Sequence, residues 1–150
     1  MAAPVRVPGD AHYAPAMNKV RVGFFSFTEI TDPSEHRAYN EWHMLDHMPE
    51  QYPLPGVAWG QRWVRTPACA AASRAASPLA AVHYVTLYLM TDPVEQTLDD
   101  FQLLAERLRA AGRFHEARIA RLSGPLARVS EAAAPWARLS AEAVPYRPHT

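Results

Sequence analysis

Two histidines one helical turn apart, His43 and His47, are the residues of this chain best suited to moving protons. His47 stands in Asp46-His47-Met48-Pro49, beside a carboxylate and just ahead of a proline. An imidazole exchanges protons near neutral pH, and a carboxylate or burial retunes it. Residues at i and i+4 share a helix face, so His43 and His47 stack. Asp46 is rotated by about 100° from His47, so it either orients His47 or faces solvent or a basic residue. The bland alternative for His47 is a helix-end imidazole that complements the dipole and caps a carbonyl. An i, i+4 histidine pair also suits zinc or iron, given a third ligand. His83, His115 and Asp46 are the candidates, but no Cys or carboxylate cluster completes a site, and no metal is expected.

Other chemistries find less support. Cys69 lies in an Ala/Ser stretch with no neighbouring histidine, so nothing in the sequence lowers its pKa. There is no nucleophile elbow, and the six glycines are scattered singly, so no loop is built to cradle phosphates. Nucleotide and flavin binding are disfavoured, and no cofactor is expected.

The elements that must hold these residues read as alternating strands and helices. Val20, Val22 and Phe24 alternate with Arg21, Gly23 and Phe25 in a first strand over 19–28. Asp32 then offers an N-cap, with Pro33 at the first helical position and Glu35 three residues after the cap. This helix is expected to run to about His47, because Pro49, Pro53 and Pro55 cannot continue it. A second strand over 57–65 carries Trp59 and Trp63 on one side, Arg62 and Val64 on the other. Residues 67–80 read as a long low-complexity loop. A third strand over 81–90 puts His83, Val85, Leu87 and Leu89 on one side, Tyr84, Thr86 and Tyr88 on the other.

Thr91-Asp92-Pro93-Val94-Glu95 repeats the earlier helix start, and Gly112 ends this second helix. A last strand falls over 117–122, with 126–129 as a rival after Gly124-Pro125. The order is βαββαβ, an α+β, ferredoxin-like arrangement with an antiparallel sheet and two helices on one face. Residues 1–16 read as a flexible arm, 17–130 as the domain and 131–150 as a C-terminal extension.

The bulk properties narrow the setting. A chain of 150 residues suits one domain. Fifteen basic and fifteen acidic residues cancel, so no net field favours nucleic acid or an anionic membrane. No apolar run reaches the roughly 20 residues a membrane span needs. One cysteine and no signal-like apolar core lead us to expect a cytoplasmic protein.

Asp32-Pro33-Ser34, Tyr39-Asn40-Glu41-Trp42, His47-Met48-Pro49 and Pro55-Gly56-Val57 together resemble the pattern of EthD-type proteins of the dimeric α/β barrel superfamily. In that pattern an aromatic-rich helix ends in Glu/Asp-His-hydrophobic-Pro before a Pro-Gly turn into the second strand. The likeness covers residues 19–65, and 82–112 extends it in pattern only. It implies a homodimer joined through open sheets, with a pocket for hydrophobic small molecules. The chain departs from the pattern at His43-Met44-Leu45, where the family usually has tyrosine and two acids. Met44 and Leu45 imply that this helix face is covered, by a terminus or the long loop.

The function expected is a small cofactor-independent enzyme acting on a hydrophobic, aromatic or polyketide-like molecule by proton transfer. Dehydration with cyclisation, decarboxylation and isomerisation all fit. His47 would serve as acid and base, oriented by Asp46 or His43, with Tyr84 or Tyr88 stabilising an enolate or phenolate. Phe25, Phe27, Trp42, Trp59, Arg62, Trp63 and Thr86 would form the substrate walls, though each has an ordinary core, interface or ion-pair reading. Two other functions stay open: a cofactor-free monooxygenase of aromatic substrates, and a non-catalytic ligand-binding or accessory dimer.

Overall fold

The computed structural model describes residues 19–130; the N-terminal arm and the C-terminal extension lie outside the described residues. Four strands form one antiparallel sheet: β1 (Val20–Ile30), β2 (Val57–Val64), β3 (Tyr84–Thr91) and β4 (Arg118–Ala127). Their order across the sheet is β2-β3-β1-β4. With a helical segment after β1 and another after β3, this α+β arrangement is compatible with a ferredoxin-like fold.

Asp32 opens the first helical segment as expected. Its carboxylate accepts from the Ser34 N–H at 2.9 Å, and Pro33 occupies the first helical position. Glu35 does not close a capping box; it reaches His115 at 3.4 Å instead. After a 3-10 turn, α1 (His36–Trp42) passes into a π-helical turn (His43–His47) and then α2 (Met48–Gln51). The helical run therefore outlasts Pro49. A proline in an α-helix drives its ring into the carbonyl four residues back. Here the Met48 N–H reaches the His43 carbonyl, one residue further than in an α-helix, and the wider turn admits Pro49.

The 67–80 stretch is less irregular than expected. It contains α3 (Pro67–Ala72), whose Thr66 hydroxyl accepts from the Cys69 N–H at 3.2 Å, and leads to a 3-10 turn at Leu79–Ala81. The second long helix, α4 (Val94–Ala110), starts differently from the first: Asp92 pairs with Arg21 at 2.9 Å rather than capping. Its end matches the expectation. Gly112 has φ +67°, its N–H bonds to Arg109 and the Arg113 N–H bonds to Leu108, the paired bonds of a Schellman cap. The last strand runs unbroken through Gly124 and Pro125. β4 is an edge strand, where a missing N–H costs no ladder bond.

Both long helical segments cover the same sheet face. Val22, Met48, Tyr88, Met90 and Phe101 form one buried cluster; Ile30, Tyr39 and Tyr84 form a second, with Trp42 against it. Gly56, at φ +85°, lets the turn before β2 press against α4, where a Cβ would lie 2.0 Å from Thr97 Oγ1. The opposite face presents Phe25, Phe27, Val85 and Leu87, with Trp63, Leu122 and Leu126 exposed. Among the described residues no helix is long and apolar enough to cross a membrane.

Candidate functional site

The π turn sets the geometry of the histidines. Such turns occur where a helix must re-aim side chains, often at functional sites. Both rings turn into the protein: His43 is 4% exposed and His47 8%. Their centroids lie 5.5 Å apart, edge to face. His47 stacks flat on Trp42, at 4.6 Å and 16°, and meets the edge of Phe114 at 5.1 Å. Trp42 is itself fixed, its Nε1–H donating to the Arg113 carbonyl at 2.9 Å. His43 packs on Tyr39 and brings Nε2 to 3.4 Å from Thr86 Oγ1.

A cavity of about 110 Å³ lies between the helices and the sheet. His43, His47 and Gln51 line it from the first helical segment, and Ser26, Thr86 and Tyr88 from the sheet. Phe101 and Arg109 of α4, then Phe114 and Arg118, complete its far side. Several of these groups lack internal partners. The Nδ1 atoms of His43 and His47, the Tyr88 hydroxyl and Gln51 Oε1 are buried with no hydrogen bond among the described residues. Buried polar atoms are nearly always paired, so four around one small cavity are a local concentration; four more, on Tyr39, Arg62, Arg65 and His115, lie off its lining.

The same burial fixes the protonation states. Desolvation, with help from Arg62 and His47, takes His43 down to about 2. Desolvation also leads at His47, with Arg118 adding to it and Asp46 opposing, and holds it at about 4. Burial raises the Tyr88 phenol above its ordinary value. At neutral pH the cavity therefore offers two neutral imidazoles, which accept protons, and one intact phenol, which donates a hydrogen bond.

The other sequence candidates divide by position. Thr86 and Tyr88 line the cavity; Trp42 braces His47 from outside the lining. Asp46 does not orient His47: it is paired with Arg113, which also holds Glu50. Tyr84 lies elsewhere on the same face, its hydroxyl accepting from Asn40 Nδ2 at 2.9 Å and lying 2.8 Å from His36 Nδ1. Arg62 forms no surface ion pair and does not line the histidine cavity, bordering instead a separate hollow with Met44, Met48 and Tyr52. It stacks over Tyr84 at 4.4 Å and donates to Asn40 Oδ1 at 2.6 Å.

Phe25, Phe27, Trp59 and Trp63 fall on the opposite side of the sheet from Thr86 and Tyr88. The register pairs Phe25 with Leu87, Phe27 with Val85, Trp59 with Leu89 and Trp63 with Val85, so one aromatic lining is not formed. Phe27 and Trp63 instead border an apolar groove of about 400 Å³ with Leu79 and Val82. His83 borders it too, but its Nδ1 already accepts from the Ile30 N–H at 3.0 Å. Cys69 also differs from expectation, since the Thr66 hydroxyl lowers its thiol. Met44 and Leu45, expected under cover, are 59% and 78% exposed.

Arg118, Arg109, Gln51 and Phe114 were not singled out in the sequence. Arginines at a helix end and a strand start carry no motif, and only the fold brings them to the histidines. Among the described residues, no group of three or more His, Cys, Asp or Glu is placed to hold a metal. Comparison with known proteins finds no family model, no curated protein and no solved structure that matches the chain.

Proposed function

We propose that this chain is a small enzyme that moves a proton to or from carbon in a hydrophobic molecule, using His47 as the base. The observation that carries the proposal is the pair of neutral, buried imidazoles lining a cavity with the unpaired Tyr88 hydroxyl. His47 takes a proton from carbon next to a carbonyl, and the Tyr88 O–H donates to the oxygen that gains charge. The imidazolium so formed returns its proton to another carbon, giving isomerisation, or to a departing hydroxyl, giving dehydration. His43, by staying neutral, adds no further positive charge beside the imidazolium. A cavity of about 110 Å³ is somewhat below the roughly 150 Å³ of one known to admit benzene, so it suits one ring or the reacting end of a larger molecule.

The resemblance to EthD-type proteins supports the same reading, and with it a dimeric α/β barrel. The apolar sheet face with Phe25, Phe27, Trp63, Leu122 and Leu126 is the surface a second copy would cover. A cytoplasmic setting fits the one exposed, unpaired Cys69.

The test is deuterium uptake and turnover with a panel of small aryl ketones and β-keto acids in D2O. Catalysed exchange that falls by about 100-fold or more in His47→Gln is expected. Full exchange and turnover in both His47→Gln and His47→Ala would refute the role of His47.

A further inference from the structure

The charged groups around the cavity are of one sign. Arg109 and Arg118 line it, and no aspartate or glutamate does. Elsewhere arginines have found partners: Arg21 with Asp92, Arg37 with Glu41, Arg113 with Asp46 and Glu50, Arg121 with Glu29. Neither the Arg109 nor the Arg118 side chain has an ion pair or hydrogen bond among the described residues. They are held by rings alone. Arg118 lies 5.1 Å from the Phe114 centroid and 5.9 Å from Trp42, and Arg109 lies 4.5 Å from Phe114. Two guanidinium groups thus share one aromatic ring, with Arg118 half-buried and Arg109 exposed at the rim. Their fork-shaped donors suit a carboxylate, and a half-buried guanidinium such as Arg118 is costly to keep charged with no counter-ion.

The geometry points to a carboxylate seat: Arg118, assisted by Arg109, binds the carboxylate of a small hydrophobic acid whose reacting end lies beside His47. This rests on the proposed proton-transfer site and narrows its substrates to anions. A bound carboxylate would also offset the arginine field at His47, making the imidazole a stronger base only when substrate is present. The competing role for Arg118 is packing alone, its stem and plane covering Trp42 and Phe114.

The probes are benzoate and its uncharged isostere benzamide, titrated into the full chain while the 15N resonances of His43 and His47 are followed. Benzoate is expected to bind about tenfold or more tightly than benzamide, the worth of a charge-assisted hydrogen bond. Arg118→Gln should abolish the preference and Arg118→Lys should keep part of it. Equal binding of the two probes at the histidines would overturn the carboxylate seat and leave the proton-transfer site standing, as would an unchanged preference in a folded Arg118→Gln chain. If neither probe perturbs His43 or His47, the cavity takes no such ligand, and both readings fall. Should Arg118→Gln not fold, the comparison of benzoate with benzamide in the unaltered chain still decides.

Discussion

Mild acid should weaken this protein well before its carboxylates titrate, because His43 and His47 fold in the neutral form. An unfolded histidine titrates near 6.5, whereas His47 is held at about 4 and His43 at about 2. Between these values the unfolded chain binds protons that the folded chain does not, so stability falls as pH drops. At pH 5 each ring is protonated in the unfolded chain and still neutral in the folded one, a loss of about 2 kcal/mol per histidine relative to pH 7.5. Together that is about 4 kcal/mol, a large part of the 5–15 kcal/mol or so typical of a whole domain.

Urea unfolding at a series of pH values from 7.5 to about 5 measures it, since the midpoint tracks stability at constant slope. The double variant His43→Gln/His47→Gln should lose most of this dependence, whatever its stability at pH 7.5. Equal acid sensitivity in the double variant and the unaltered chain would refute the claim that these rings are buried neutral.

Three further outcomes follow from particular contacts. Tyr88→Phe should slow turnover by roughly tenfold or more while raising stability by about 1 kcal/mol, since it removes a buried hydroxyl without a partner; steady-state kinetics and thermal unfolding read the two effects. Asp46→Asn should move the pH profile of turnover only slightly, and to lower pH, because the carboxylate opposes the lowering of His47 from a distance, and should cost under about 1 kcal/mol, since its pair with Arg113 is well exposed; a large displacement would restore Asp46 as the direct partner of His47. Gly56→Ala should destabilise by at least about 1–2 kcal/mol in urea unfolding, from its positive φ and the collision with Thr97.

Local chemistry made much of the fold legible. Asp32-Pro33 and Gly112 carry their cap geometry in their residue types, and the inward parity of Tyr84, Thr86 and Tyr88 follows from alternation. The parity between strands was not legible, because it depends on register, and register placed Phe25 and Phe27 across the sheet from Tyr88. Nor does a π turn have a residue signature: Pro49 reads as a stop until the widened turn at His43–His47 makes room for it. Asp46 next to His47 in sequence suggested a dyad, yet Arg113, distant in the chain, takes the carboxylate. The histidines themselves were visible from spacing. Their neutrality was not, since it comes from burial and from Arg62 and Arg118, which only the folded chain brings near.

The most direct measurement is the titration of the two imidazoles by 15N NMR in the ligand-free chain, with His43→Gln and His47→Gln assigning the signals. Both rings should remain neutral down to pH 5, with His47 taking up its proton near 4 and His43 lower still. If either ring titrates near 6.5, it is solvated and ordinary, and the cavity does not hold the neutral base on which the proposed chemistry depends.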